Sequence, residues 1–114
     1  MTRGKVVLVP FPFDDLSTTK VRPAVCLTDP IGPYRHVILA FITSRIPTDL
    51  VESDVVLDDS QSDFTTTGLR VTSTLRLHRL MTVTTALIRR ELGELSPRMR
   101  AEVADKLRKL FSLT

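Results

Sequence analysis

Cysteine and tryptophan are scarce in this sequence, which holds a single cysteine, Cys26, and no tryptophan. One cysteine excludes an internal disulfide and a cysteine-built metal site. Long apolar runs are missing too. The longest ones, such as residues 37–42, are far shorter than the roughly 20 residues that a membrane-spanning helix needs. Residues 6–9 are too short for the apolar core of a signal peptide, and Pro10 and Pro12 interrupt the chain directly after them. We therefore expect a soluble protein of a reducing compartment, the cytoplasm, without membrane association.

The residue patterns of most cofactor-dependent enzymes are missing as well. The 4 glycines lie far apart and form no phosphate-binding loop. The histidines His36 and His78 belong to no zinc-binding pattern such as HExxH. The acid pairs at 14–15 and 58–59 are poor cation sites, since neighbouring residues on a strand point to opposite faces. We expect no metal and no other cofactor.

Positive charge is modest overall but uneven along the chain. The 16 lysines and arginines against 13 acids give a net charge of +3, which alone does not indicate nucleic acid. Residues 65–90 contain no carboxylate, yet they carry Arg70, Arg76, His78, Arg79, Arg89 and Arg90. These side chains belong either to solvated strand faces or to a surface for an anionic partner.

Short strands account for most of the pattern in this chain of 114 residues, which is long enough for one domain, residues 1–114. The predicted strands cover residues 5–9, 21–28, 36–43, 54–57 and 75–83. The strand at 36–43 is apolar almost throughout, as is typical of burial on both faces. The strand at 75–83 should bend or bulge near Leu80, and residues 86–92 form a last strand or a helical turn.

A helix is predicted over residues 97–111. Ser96 is a favourable N-cap and Pro97 suits the first helical position. One apolar face results from the spacing of Met99, Val103, Leu107, Leu110 and Phe111. Closely spaced strands without crossover helices favour a bent antiparallel sheet, so we expect a mainly β fold, a small barrel with a C-terminal helix.

Four short motifs occur in a fixed order. Residues 4–12 read G-K-V-V-L-V-P-F-P, residues 20–25 read K-V-R-P-A-V, and residues 39–45 read L-A-F-I-T-S-R. Residues 92–97, L-G-E-L-S-P, precede the helix. This order resembles the MazF/PemK family of toxin endoribonucleases over nearly the whole chain. The resemblance implies an SH3-like antiparallel barrel of the CcdB or MazF type, usually a homodimer.

The resemblance also implies an activity and a partner. Such toxins cut single-stranded RNA without metal, by transesterification to a 2′,3′-cyclic phosphate and a 5′-hydroxyl, and a cognate antitoxin blocks them. Arg22 matches the catalytic arginine of the R-P motif and Thr43 the catalytic threonine. A guanidinium can hold two phosphate oxygens at once, and a hydroxyl can donate to a third. The further RNA-binding candidates are Lys20, Ser44, Arg45, Arg76, His78 and Arg79.

The chain departs from the family pattern at two places. Lys5 stands where many relatives carry an acid, and His78–Arg79 replaces an acid followed by glutamine. His78 is therefore either a surface histidine or an acid or base near the scissile phosphate. The recognised RNA sequence cannot be deduced, because base choice depends on loop contacts.

Two other functions are compatible with the sequence. A CcdB-like poison of DNA gyrase would use the terminal helix and cut nothing, although core packing alone demands the same apolar face. A plain RNA-binding module would need exposed aromatic rings, and only 5% of the residues are aromatic. Phe11 and Phe13 are candidates either for base stacking or for packing, and the polar loop 14–20 is expected to gate the RNA groove.

Overall fold

The computed structural model describes residues 2–11 and 20–113. Within these ranges the chain forms strands β1 (Lys5–Phe11), β2 (Lys20–Cys26), β3 (His36–Thr43), β4 (Asp54–Leu57), β5 (Ser73–Thr84) and β6 (Arg90–Glu94), followed by helix α1 (Pro97–Leu110). Two 3-10 helices, Phe64–Thr67 and Thr85–Leu87, lie between strands. No helix in this part of the chain is long and apolar enough to cross a membrane.

The strands form one antiparallel sheet in the order β4-β5-β3-β2-β1-β6. The connection between β4 and β5 folds over β6 at the opposite edge, where Thr66 Oγ1 donates to the Glu94 carbonyl at 3.1 Å. Gly93 permits this contact, since a Cβ there would lie 2.3 Å from the Thr66 carbonyl oxygen. The sheet is thus curled into a half-barrel, which confirms the predicted mainly β fold with a C-terminal helix.

The sheet buries apolar side chains on both faces, as the pattern of β3 predicts. Ala40 and Ile42 join the cluster beneath the helix, whereas Leu39 and Phe41 join a second cluster on the opposite face. Cys26 lies in the second cluster, and burial raises the pKa of its thiol to about 11. The cysteine is therefore a core residue held in its unreactive thiol form.

The predicted irregularity of β5 is a bulge next to Leu80. Ala40 pairs with Leu80, but the next residue, Phe41, pairs with Arg76. Three residues of β5, from Leu77 to Arg79, therefore lie between the partners of two consecutive β3 residues and have no partner of their own in β3. Such a bulge bends a strand and changes the direction of the side chains in it.

Helix α1 begins as predicted. The Ser96 hydroxyl accepts from the Met99 backbone N–H at 3.2 Å, and Pro97 is the first helical residue. Met99 and Val103 are buried against the sheet. Leu110 and Phe111, at the end of the predicted apolar face, are instead exposed.

The ends of β1, β2 and β5 differ from the predicted bounds by one or two residues. β1 continues to Phe11, through Pro10, because β6 pairs with β1 only as far as Leu8. Pro10 therefore has a strand on one side alone, where a missing N–H is tolerated. Residues 86–92 contain both predicted alternatives, since the 3-10 helix Thr85–Leu87 precedes β6.

Candidate active site

An open cavity of about 360 Å³ lies where the ends of β1, β2 and β3 meet the bulged part of β5. Its lining combines arginines and hydroxyl groups with an apolar floor: Phe11, Arg22, Phe41, Ile42, Thr43, Ser44, Arg45, Arg76 and Arg79. None of these described lining residues is acidic. We call this cavity the arginine pocket. Its four guanidinium groups favour an anion with several oxygens.

The β2–β3 ladder brings Arg22 and Thr43 together. Ala24 pairs with Phe41, and two further residues along each antiparallel strand lead to Arg22 and Thr43. Because side chains alternate along a strand, both then lie on the same face as Phe41. The two residues that the family resemblance assigns to catalysis thus line one cavity.

The Thr43 hydroxyl is oriented by the turn after β3. Its Oγ1 accepts a hydrogen bond from the Arg45 backbone N–H at 3.2 Å. A hydroxyl that accepts one bond can still donate its hydrogen to another group. Ser44 and Arg45 are exposed in this turn. The turn therefore presents a donor and a cation at the mouth of the pocket.

Arg76 is held by a buried carboxylate. Its Nε donates to Asp54 Oδ1 at 3.1 Å and its Nη2 to Asp54 Oδ2 at 3.2 Å. The Asp54 side chain is 1% exposed, and its Oδ2 also accepts from the Val51 backbone N–H at 3.0 Å. Asp54 starts β4 directly opposite Arg76 in β5. One edge of the guanidinium is thereby bound from outside the pocket.

Aromatic rings form the floor of the arginine pocket. Phe11 and Phe41 pack edge to face with their ring centroids 4.7 Å apart, and the Arg79 guanidinium lies 5.7 Å from the Phe11 centroid. Phe11 is 6% exposed. Of its two predicted roles, packing is therefore the one that the structure supports. Phe13 lies outside the described residues, as do positions 14–19 of the loop predicted to gate the groove.

Six of the eight predicted site residues line the pocket: Arg22, Thr43, Ser44, Arg45, Arg76 and Arg79. The other two predicted residues, Lys20 and His78, are not among the described residues that line the pocket. Lys20 is exposed opposite Phe11 at the start of β2. His78 lies beside the pocket, where its Nδ1 is 4.0 Å from Asp54 Oδ1.

Sequence reasoning missed Asp54 and the floor residue Phe41. The Asp54–Arg76 contact joins residues 22 positions apart, and only the pairing of β4 with β5 brings them together. The apolar pattern of β3 predicts that Phe41 is buried, but its place under the pocket depends on the bulge in β5. For Asp54 the available signal is an acid at the start of a strand, followed by an arginine-bearing strand that can pair with it.

Comparison with known proteins identifies the family. A model of the PemK-like, MazF-like toxins of type II toxin-antitoxin systems matches residues 2–111. The chain belongs to this family. The predicted resemblance is thereby confirmed over nearly the full length of this PemK/MazF-family chain. No curated protein matches it.

Solved structures share the fold of this PemK/MazF-family chain at low sequence identity. An endoribonuclease in complex with its cognate antitoxin from a mycobacterial species has a TM-score of 0.73 at 17% identity, covering 100% of this chain and 97% of the other. The Mycobacterium tuberculosis toxin MazF-mt6 has a TM-score of 0.71 at 19% identity, covering 96% and 98%. A MazE–MazF complex from Deinococcus radiodurans has a TM-score of 0.70 at 20% identity, covering 100% and 97%.

Proposed function

We propose that this protein is an endoribonuclease toxin that cuts single-stranded RNA in the arginine pocket and inhibits growth unless its antitoxin is bound. The observation that carries the proposal is the convergence of Arg22 and Thr43 in one cavity with three further arginines. Membership of the toxin family supports it. The similar folds include an endoribonuclease in complex with its cognate antitoxin, which supports both the activity and the partner.

The proposed reaction is an internal transesterification. The 2′-oxygen attacks the adjacent phosphorus, the bond to the 5′-oxygen breaks, and the products are a 2′,3′-cyclic phosphate and a 5′-hydroxyl. The proton of the 2′-hydroxyl leaves to a base, and the departing 5′-oxygen takes one up. Negative charge grows on the non-bridging oxygens, so cations and donors placed beforehand lower the barrier.

The pocket residues divide these tasks. Arg22 holds two phosphate oxygens with its planar fork, and the Thr43 hydroxyl donates to one of them. Arg76, which lines the same pocket, adds a second guanidinium at that phosphate, and Arg79, Arg45 and Ser44 bind the phosphates on either side of the cut. Guanidinium and hydroxyl groups are poor metal ligands, and a cationic lining repels a metal ion, so the proposed chemistry is metal-independent.

His78 is our candidate for proton transfer. It is exposed and lies two residues from Arg76 on β5, beside the pocket. Imidazole exchanges protons readily near neutral pH, whereas the arginines and hydroxyls of the lining do not. A pH profile of cleavage that His78→Ala leaves unchanged would remove His78 from the mechanism.

The basic pocket also supports a proposal for inhibition by the antitoxin. A disordered acidic segment can occupy the same groove as RNA, since its carboxylates replace the phosphates and it folds on binding. Lys20, exposed at the start of β2, extends the basic surface towards such a segment. We propose that the functional toxin is a homodimer with two such grooves, which light scattering coupled to gel filtration can test.

The decisive experiment is cleavage of a mixed-sequence single-stranded RNA in EDTA. Wild type should cut it and leave 2′,3′-cyclic phosphate ends, and Arg22→Ala and Thr43→Ala should each lower kcat/KM by about 100- to 1,000-fold. Arg108→Ala, an exposed arginine on helix α1, is the matched control and should cut like wild type. Circular dichroism verifies that each variant is folded.

A folded wild type that cuts no RNA would refute the proposal. The alternative function as a gyrase poison would then have to be tested. The helix face that it requires is largely occupied, because Met99 and Val103 are buried against the sheet. Inhibition of DNA gyrase by the purified protein would separate that function from an inactive RNA-binding module.

A further inference from the structure

The Asp54–Arg76 pair has features that distinguish it from an ordinary surface ion pair. Both carboxylate oxygens of Asp54 accept from the Arg76 guanidinium, at 3.1 and 3.2 Å. The Asp54 side chain is 1% exposed, whereas that of Arg76 remains 19% exposed. Arg76 lines the arginine pocket and Asp54 does not. The acid is therefore behind the arginine as seen from the cavity.

Asp54 is itself held by contacts to its side chain and to its backbone. Its Oδ2 accepts from the Val51 backbone N–H at 3.0 Å, in the turn before β4. The Asp54 backbone carbonyl accepts from Lys106 Nζ on helix α1. His78 Nδ1 lies 4.0 Å from Oδ1 on the remaining side. Contacts from a turn, a helix and a neighbouring strand thus hold the acid that holds Arg76.

The geometry determines which donors of Arg76 remain for a ligand. A guanidinium has five N–H groups, of which Asp54 accepts one from Nε and one from Nη2. The two hydrogens on Nη1 and the second on Nη2 are left, and one from each of these nitrogens points along the edge between Nη1 and Nη2. An arginine bound along one edge presents its other edge in a fixed direction, at little further cost in side-chain entropy.

We propose that Asp54 is a positioning residue for RNA cleavage, one that orients Arg76 so that its remaining N–H groups meet the phosphate at which cleavage occurs. This inference rests on the proposed endoribonuclease function. Asp54 touches no substrate and acts only through Arg76. It also offsets part of the positive charge of Arg76, which restrains the general attraction of the pocket for RNA.

These two effects give Asp54 a kinetic signature. In Asp54→Asn, Arg76 keeps its charge but loses its fixed direction. RNA binding should stay the same or tighten, whereas stabilisation of the transition state should weaken. We expect kcat to fall by about 10- to 100-fold, the size of effect that results from small misplacements of a reacting or stabilising group. A residue that merely supported the fold would lower the fraction of active protein but leave the single-turnover rate constant of the folded molecules unchanged.

The first arm of the test measures cleavage and binding separately. Single-turnover cleavage of an RNA oligonucleotide reports the chemical step. Fluorescence anisotropy with the same oligonucleotide, carrying a 2′-deoxy group at the cut, reports affinity. The variants are Asp54→Asn, Arg76→Gln and the double variant. If Asp54 acts through Arg76, Asp54→Asn should lower the rate no further in the Arg76→Gln background.

Asp63→Asn is the matched control. Asp63 binds Arg98 through the same two nitrogens, at 2.9 Å each, but neither residue lines the arginine pocket. Asp63→Asn should lower the melting temperature while the cleavage rate per folded molecule stays within about twofold of wild type, as for a site remote from the chemistry. A comparable loss of cleavage in both variants would overturn the positioning role.

The second arm uses the folded wild type and requires no activity. In an NMR spectrum of the ¹⁵N-labelled protein, the Arg76 Nε–H should exchange with water slowly, and more slowly than that of the exposed Arg98. Asp54→Asn should make it exchange quickly. Fast exchange of the Arg76 Nε–H in wild type would contradict the proposal even if Asp54→Asn failed to fold. If wild type cuts no RNA, the proposed function fails, while this signal still decides whether Asp54 orients Arg76.

Discussion

Two arginine–aspartate pairs in this protein share one hydrogen-bond pattern in different surroundings. Arg76 and Arg98 each use Nε and Nη2 to bind both oxygens of a carboxylate, on Asp54 and Asp63 respectively. The Asp54 side chain is 1% exposed, whereas that of Asp63 is 23% exposed. The same contact therefore lies in a buried environment in one pair and in a solvent-accessible environment in the other, and its role differs accordingly.

The exposed pair secures the start of helix α1. Asp63 lies just before the 3-10 helix Phe64–Thr67, and its Oδ2 also accepts from the Ser96 hydroxyl at 2.7 Å. Ser96 is the N-cap of α1, so the cluster joins the helix to the β4–β5 connection. The buried pair instead lies behind the arginine pocket. An arginine–carboxylate contact therefore stabilises local structure at one place and orients a cation at the other.

The largest expected effect concerns stability. Asp54→Ala leaves the half-buried Arg76 without its carboxylate and the Val51 N–H without its acceptor. We expect the free energy of unfolding to fall by about 3 kcal/mol or more, as when one partner of a buried ion pair is removed. Asp63→Ala should cost less, because water can reach the partly exposed site of Asp63 and solvate the exposed Arg98. Urea denaturation followed by circular dichroism measures both, and equal losses would mean that burial does not distinguish the pairs.

The next effect concerns cleavage and depends on the proposed function. Arg76→Lys keeps the positive charge but cannot bind both Asp54 oxygens and still present a planar edge to a phosphate. We expect kcat/KM to fall by about 10- to 100-fold, which is less than the loss expected for Arg22→Ala. Arg98→Lys is the matched control, with cleavage unchanged. Wild-type kinetics in Arg76→Lys would show that only the charge of Arg76 matters.

The fold was largely predictable because it depends on local patterns. The apolar run of β3, the cap at Ser96 and the irregularity near Leu80 are each encoded within a few neighbouring residues. The end of β1 was not, because Pro10 is tolerated there only where β6 no longer pairs with β1. Strand boundaries of this kind depend on neighbours that are distant in sequence.

The site residues that belong to sequence motifs were predictable, whereas those brought together only by strand pairing were not. Arg22 and Thr43 were found through the family resemblance, and the β2–β3 register places both at one cavity. Asp54 gave no signal in a local motif, since its role requires β4 to lie beside β5 in a particular register. The carboxylate-free segment 65–90 suggested a basic surface, yet it could not indicate that one of its arginines, Arg76, is bound by an acid from a neighbouring strand.

A smaller effect is expected at the helix start. Ser96→Ala removes the acceptor for the Met99 N–H and the donor to Asp63. We expect a loss of about 1 kcal/mol, typical of an N-cap. Thermal denaturation measures it, with the exposed Thr48→Ala as control. Cleavage should remain at the wild-type rate, and a loss of activity at unchanged stability would connect the exposed pair to the site after all.

The smallest effect appears in acid. Hydrogen bonds from Arg98 and Ser96 lower the pKa of Asp63 from its ordinary value of 3.8 to about 2. A carboxyl with a lowered pKa in the folded state contributes stability above its ordinary pKa and loses it as the pH falls towards the lowered value. The melting temperature of wild type should therefore exceed that of Asp63→Asn at pH 5, and the gap should narrow as the pH approaches 2. Asp105→Asn, which removes an exposed pair with Lys109, is the control. A gap that stayed constant would mean that Asp63 stabilises the helix start through packing rather than through its charge.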